Sequence, residues 1–181
     1  MMHKPPEFTL VDNRVAIFID GQNYFNAIRH RGLKIDLNKL VQALAAPYGR
    51  PVYKLYVTGV LPATDGFVKG RRFLDALRYQ EWIVKEYVLR ERGWGWTEKG
   101  VDVCIATKLV KGAVGNLYDV AILLSGDQDF VPALEEVRQE GKRVVVVQFQ
   151  DFVSCELAAA ADEVVLLDSL NLGALVYESA A

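Results

Sequence analysis

The chain has 181 residues, of which 51% are hydrophobic and 24% are charged, and its formal net charge is −2. This length suits one α/β domain with a substantial core, and the overall charge does not indicate a nucleic-acid partner. No apolar run approaches the roughly 18–20 residues that span a bilayer. The first residues also lack the apolar stretch of a signal peptide, so we expect a cytoplasmic protein without a membrane segment.

Strand and helix patterns alternate along the chain. Strands are predicted at residues 15–20, 52–60, 82–89, 120–124 and 143–149, with a short edge strand at 164–167. Helices are predicted at residues 23–29, 36–44, 67–79, 101–111, 131–140 and 152–161, with Asp36 as an N-cap and residues 90–100 as a glycine-punctuated loop. The alternation predicts a mostly parallel sheet of five to six strands with helices on both faces. We expect one domain at 13–168, followed by a C-terminal tail or terminal helix at 169–181.

The two cysteines, Cys104 and Cys155, both lie in apolar helical patterns. We therefore predict buried free thiols in a reducing compartment rather than a disulfide. The chain has two histidines and no pair of cysteines at the spacing of metal ligands, so a structural zinc site is not expected.

Acidic residues follow two of the buried strands. Asp20 ends the first strand, in the run FIDGQN, and Asp127 and Asp129 follow the fourth strand, in the run ILLSGDQDF. The carboxyl ends of parallel strands meet at the edge of the sheet where α/β proteins bind ligands. Asp102, in the first turn of the helix at 101–111, is predicted to reach the same edge.

These acids are more informative together than singly. Each one alone is explained as a helix cap or a turn residue, and Asp129 fits the N-cap of the helix that follows it. Several like charges at one edge repel one another unless a cation compensates them, and all-oxygen ligation is the preference of Mg²⁺ or Mn²⁺. We therefore favour a divalent-metal site for metal-assisted hydrolysis, formed by Asp20, Asp127 and Asp129, with Asp102 either as a further ligand or as the base that orients the water.

The polar and glycine residues beside these acids leave alternatives open. Asn23 is either a helix cap or a group that holds a phosphate, a water or a neighbouring carboxylate, and Ser125 is either a cap or a phosphate ligand. Gly21 and Gly126 fit a tight turn as well as a close backbone approach. The sequence has no P-loop motif, no dinucleotide-binding glycine pattern after a strand and no nucleophile elbow, so those chemistries are not expected.

The segment 69–99 is more basic than the rest of the chain, with eight basic and five acidic residues. Aromatic residues are interleaved with the basic ones, as suits single-stranded nucleic acid, where cations meet phosphates and aromatic faces meet bases. We interpret Trp82 and Tyr87 as core residues of a strand. Trp94 and Trp96 flank Gly95 in the predicted loop, and both packing and substrate contact remain open for them.

Three segments together, FIDGQN, EKGVDVCIATKLV and LLSGDQDFVPALEEVRQEGKRVVVV, resemble the NYN domain, specifically the LabA/DUF88 branch of the PIN-like nuclease superfamily. The resemblance spans roughly residues 15–167. It implies a three-layer α/β/α Rossmann-like, PIN-like sandwich and a ribonuclease that uses Mg²⁺ or Mn²⁺. It places the family's metal-site acids at Asp20, Asp102, Asp127 and Asp129, its motif Asn at Asn23, and its motif Lys and Ser at Lys99 and Ser125.

The favoured hypothesis is therefore a metal-dependent ribonuclease, with single-stranded RNA as its expected partner. Lys99, Arg90 and Arg92 are predicted to hold the RNA backbone, and Trp94 or Trp96 to stack on a base. Many relatives carry an Asp where this chain has Lys108, which weakens the site if that Asp is a metal ligand and changes little if it is not. The alternatives are a catalytically weak RNA-binding or regulatory module with the same fold, and a small-molecule phosphohydrolase. A homodimer is also possible.

Overall fold

The computed structural model describes residues 12–61, 68–93, 95–97 and 99–176. The strands of its central sheet are β1 (Asn13–Asp20), β2 (Gly49–Val60), β3 (Ile83–Val88), β6 (Val120–Leu124), β7 (Arg143–Gln148) and β8 (Glu163–Leu166). They are ordered β3-β2-β1-β6-β7-β8, and every neighbouring pair is parallel. β1 and β6 therefore lie side by side at the centre, and β8 is the edge strand that the sequence predicts.

Helices cover both faces of this sheet. One face carries α1 (Gly21–His30), α2 (Leu37–Ala45) and α3 (Val68–Tyr79), and the other carries α4 (Val101–Val114), α5 (Val131–Gln139) and α6 (Cys155–Ala160). β1 separates two hydrophobic cores because successive side chains of a strand point to opposite faces. Ile17 and Ile19 belong to the core under α1–α3, and Phe18 belongs to the core under α4–α6. The predicted α/β/α sandwich is confirmed.

Local sequence signals explain several of the element ends. Asp36 caps α2 as predicted, because its side chain accepts hydrogen bonds from the backbone N–H groups of Asn38 and Lys39. Asp20 caps α1 by accepting from the backbone N–H of Asn23, so Asn23 is not itself the cap. Trp82 is buried, and Tyr87 is partly buried against the core under α4–α6, in line with their predicted packing roles.

Two predicted elements differ from the structure. Residues 90–100 contain an antiparallel hairpin, β4 (Arg90–Arg92) and β5 (Gly95–Thr97), where a loop was expected. Gly93 takes a positive φ of 46° at the reversal between the two strands. The several glycines of this segment are typical of a loop, and for that reason the sequence did not predict the hairpin. The helix predicted at 152–161 begins only at Cys155, because the side chain of Ser154 accepts from the backbone N–H of Leu157 and caps it there.

The prediction that both thiols are buried is wrong for Cys155. Cys155 is exposed because it is the first residue of a short helix, where the apolar face has not yet begun, while Cys104 is partly buried. Both cysteines are free.

The region after β8 packs on the domain without forming a longer helix in its described part. Short 3₁₀ turns occur at Leu167–Ser169 and Leu172–Leu175, and Val176 forms an isolated bridge with Ile35. The rest of the predicted tail, residues 177–181, lies outside the described residues. Among the helices in the described ranges, none combines the length and apolar character needed to cross a lipid bilayer.

Candidate metal centre

The carboxyl ends of β1 and β6 form the centre of the candidate site. After β1 the chain enters α1 on one face of the sheet, and after β6 it continues toward α5 on the other face. This divergence makes the gap between the two strand ends a topological switch point, where open α/β sheets bind ligands. Asp20 is the last residue of β1, and the Ser125–Gly126–Asp127 loop directly follows β6.

Three carboxylates meet at this edge. Asp102, Asp127 and Asp129 each offer an oxygen, and these oxygens all lie within 4.8 Å of one another. Asp102 comes from the first turn of α4, while Asp127 caps the 3₁₀ turn Gln128–Phe130 by accepting from the backbone N–H of Asp129 at 3.0 Å. Asp102 and Asp127 are partly buried and Asp129 is exposed, so the group is open to a ligand.

The capping role that the sequence allowed for Asp129 is wrong. Asp127 provides the side-chain cap instead, and α5 starts after Phe130 without a side-chain cap of its own. The carboxylate of Asp129 is thereby left to face the other two acids of the group.

Asp20 has a different environment from the other three acids. It is only 4% exposed, and its carboxylate accepts from the backbone N–H of Asn23 at 3.0 Å and from the hydroxyl of Ser125 at 3.3 Å. Burial raises the pKa of Asp20 to about 6, with smaller contributions from the charges of Asp102 and Asp127, although both hydrogen bonds oppose the rise. Asp20 is not a member of the three-carboxylate group.

Mutual repulsion is also visible at Asp102. Its pKa is raised, first by partial burial and then by the charges of Asp127 and Asp129. A bound cation would relieve this repulsion, and a set of carboxylate oxygens without His or Cys is what Mg²⁺ and Mn²⁺ prefer. The donor set therefore fits the predicted cofactor.

The loop after β6 is held by close backbone packing. A Cβ atom at Gly126 would lie 1.7 Å from the carbonyl oxygen of Phe152, so the close approach, and not only the turn, requires glycine here. The carbonyl of Gly126 accepts from the backbone N–H of Ser154 at 3.0 Å. Ser125 is fully buried, and its hydroxyl also accepts from the backbone N–H of Asp127 at 3.3 Å. Ser125 thus connects Asp20 to the loop that carries Asp127.

Asn23 and Gln148 complete the support of this loop. The side-chain oxygen of Asn23 accepts from the backbone N–H of Gly126 at 3.1 Å and from Nε2 of Gln148 at 2.7 Å. Gln148 is 1% exposed, and its own oxygen accepts from the backbone N–H of Phe149. The sequence interpretation missed Gln148, although it ends the apolar run RVVVVQ at the same sheet edge and meets the rule that selected Asp20.

The predicted RNA contacts are only partly covered by the described residues. Lys99 is exposed just before α4, and Arg90 is exposed on β4. Trp94 and the side chains of Arg92 and Trp96 lie outside the described part of the chain. Among the predicted site residues, the structure therefore brings together the acids, Asn23 and Ser125.

Comparison with known proteins places the chain in a family. The family model of the NYN domain matches residues 14–168. The chain belongs to the NYN domain family. Its sequence is 29% identical over 169 residues to Low amplitude and bright protein LabA of Synechococcus elongatus, covering 88% of this chain and 86% of that protein. The predicted resemblance to the NYN domain is confirmed.

A solved structure supports the same assignment at the level of the fold. The crystal structure of a protein of unknown function from Vibrio parahaemolyticus is similar to this NYN domain with a TM-score of 0.69 and 26% sequence identity. The match covers 88% of this chain and 95% of that one, so nearly the whole architecture is shared.

Proposed function

We propose that this NYN domain is a metal-dependent ribonuclease that hydrolyses phosphodiester bonds of RNA at the three-carboxylate group. The observation that carries the proposal is the convergence of Asp102, Asp127 and Asp129 to within 4.8 Å at the topological switch point of the sheet. Membership of the NYN family, in the PIN-like nuclease superfamily, supports it.

Asp102, Asp127 and Asp129 would hold Mg²⁺ or Mn²⁺, and Asp20 would contribute from its buried position next to Ser125. When bound, such an ion neutralises charge on a phosphoryl oxygen and makes a water more acidic. The protein's part is to hold the carboxylates in place, which the bonds of Ser125 and Asn23 to the loop after β6 achieve.

Other side chains would bind the RNA around this centre. Within the described residues, the two hydrogen bonds to the Asn23 side chain end on its oxygen, so its amino group would donate to a phosphate oxygen. Ser125 is fully buried, so we assign it to positioning the loop in place of the phosphate contact considered from the sequence. Lys99 and Arg90 are exposed and would pair with the RNA backbone. Arg92, Trp94 and Trp96 keep their predicted roles in RNA binding as part of the proposal.

Cleavage of end-labelled single-stranded RNA in Mn²⁺, Mg²⁺ or EDTA tests the proposal. We expect cleavage that requires the metal and that falls roughly 100-fold or more in Asp127→Asn, since a lost ligand should cost at least as much as a lost supporting contact. Asp75→Asn is the matched control, because Asp75 is exposed on α3 and forms an ion pair with Arg78 there, away from the three-carboxylate group. The role of the acids would be wrong if Asp127→Asn kept both Mn²⁺ affinity and cleavage.

The same assay separates the alternatives. Lys108, the position at which many relatives carry an Asp, lies six residues beyond Asp102 on α4, about 9 Å along the helix axis. Salt-dependent RNA binding without metal-dependent cleavage would select the RNA-binding or regulatory module. Faster hydrolysis of a short nucleotide or sugar phosphate than of RNA would select the phosphohydrolase.

A further inference from the structure

A cleft opens directly beside the three-carboxylate group, between α4 and the start of α5. Its volume is about 650 Å³, and Asp102 and Asp129 line both the cleft and the acidic group. Ligand sites typically measure about 300–1,000 Å³, so the cleft is large enough for a nucleoside. Whatever occupies it would touch the acids of the candidate metal centre.

Half of the described residues that line the cleft are apolar. Val103 and Ala106 contribute from α4, and Val131 and Pro132 contribute from α5. Val103 is 69% exposed, so its side chain is accessible to a ligand. Pro132 has no backbone N–H, so the start of α5 presents no donor from this residue. These four residues offer contact to a flat apolar face.

The other described lining residues of the cleft are polar. Gln128 from the 3₁₀ turn and Glu156 from α6 line it together with the two shared acids, and no Lys or Arg is among its described lining residues. Carboxylates accept hydrogen bonds and repel anions, so in the absence of a metal this lining disfavours a phosphate and favours a neutral group that carries N–H donors.

We propose that the cleft binds the nucleobase of a nucleotide next to the hydrolysed phosphate and prefers guanine, an inference that rests on the proposed ribonuclease function. Guanine presents a ring N–H and an exocyclic amino group side by side, which match the two oxygens of the Glu156 carboxylate. Adenine and cytosine place an acceptor next to their amino group, and uracil places its N–H between two carbonyls, so each of them turns an acceptor toward the carboxylate. The amide of Gln128 can donate to the guanine carbonyl, and a purine covers more of the apolar lining residues than a pyrimidine.

Nucleoside titrations of the full ¹⁵N-labelled chain in EDTA test this proposal. Guanosine, adenosine, cytidine and uridine carry no phosphate, so binding reports the base. We expect guanosine to bind most tightly and to shift the amide signals of Val103, Ala106, Gln128 and Glu156. Glu156→Gln should weaken guanosine binding roughly tenfold or more, the effect of losing a bidentate base contact. The control Glu135→Gln removes an exposed carboxylate of α5 outside the cleft and should bind guanosine as the unchanged chain does.

A second variant keeps the test independent of Glu156. Val103→Asp adds a charge to the apolar lining of the cleft at an exposed position that does not support the core, and it should weaken binding of all four nucleosides. The proposal is overturned if no signal from the cleft moves, if the four nucleosides bind equally, or if Glu156→Gln keeps the preference for guanosine.

This experiment distinguishes the cleft from the ribonuclease proposal because it needs neither a metal nor bond cleavage. If RNA is cleaved in the presence of metal but no nucleoside binds in the cleft, only the proposed base site is refuted. If guanosine binds as expected and no RNA is cleaved, the ribonuclease proposal fails and the base site remains. If both hold, cleavage positions should cluster beside guanines and should spread to other bases in Glu156→Gln.

Discussion

The burial of Asp20 should lower the stability of the metal-free protein at neutral pH. Asp20 is 4% exposed, and burial raises its pKa from 3.8 to about 6. The folded chain therefore holds the Asp20 proton more tightly than the unfolded chain does. The free energy of unfolding is highest below the unfolded pKa and falls as the pH rises through the folded pKa. At about 1.4 kcal/mol per pK unit, the loss between pH 3 and pH 8 is about 3 kcal/mol.

Asp20→Asn removes this penalty while it keeps the size of the side chain. Its side-chain oxygen can still accept from the backbone N–H of Asn23, and the bond from Ser125 is the contact at risk, worth about 1 kcal/mol. We expect the variant to be more stable than the unchanged chain by about 2 kcal/mol at pH 8, and the gain to vanish near pH 4. Urea unfolding in EDTA at pH 4, 6 and 8 measures both.

Asp119→Asn is a control of the opposite sign. The side chain and backbone of Arg14 donate to Asp119 and lower the pKa of that carboxyl to about 2. Its contribution is present above the unfolded pKa and is lost as the pH falls toward 2, so Asp119→Asn should be less stable than the unchanged chain at pH 8. A destabilised Asp20→Asn at pH 8, or a gain of equal size at pH 4 and pH 8, would refute the reasoning.

Two further variants probe the loop after β6. In Gly126→Ala the new methyl group would lie 1.7 Å from the Phe152 carbonyl oxygen, so we expect the free energy of unfolding to fall by about 2–4 kcal/mol. Calorimetry should show weaker Mn²⁺ binding as well, whereas Gly70→Ala, which has open space around it on α3, should leave both unchanged or slightly improve stability. Gln148→Leu removes the hydrogen bonds to Asn23 and to the Phe149 N–H, so we expect the free energy of unfolding to fall by about 1–3 kcal/mol. If the free energy of unfolding of Gln148→Leu equals that of the unchanged chain, Asn23 holds the loop without the contact from Gln148.

The sheet and the location of the site could be predicted because both follow from local patterns. The runs that end at Asp20 and Leu124 are apolar without alternation, which is typical of strands buried on both faces, and β1 and β6 are indeed central. The switch-point rule then places Asp20 and Asp127 at one edge without any knowledge of contacts.

The division of the acids could not be predicted in this way. Whether Asp20 joins the other three depends on Ser125, which lies 105 positions away and bonds to the Asp20 carboxylate. No periodicity encodes such a contact. Gln148 ends a buried strand as Asp20 does, but an amide carries no charge that would mark it as part of a site, and the strands of the 90–100 hairpin have three residues each, too few to show an alternating pattern.

Asp20 and the three-carboxylate group nevertheless act as one electrostatic unit. The charges of Asp102 and Asp127 raise the pKa of Asp20, so a cation held by those acids must lower it by the reciprocal interaction. The stability gain of Asp20→Asn at pH 8 should therefore shrink when the unfolding measurement is repeated in saturating Mg²⁺, because the ion relieves the penalty only in the unchanged chain. A gain that stays the same size with and without Mg²⁺ would mean that no ion binds within reach of Asp20. That outcome would count against the metal centre without any assay of RNA cleavage.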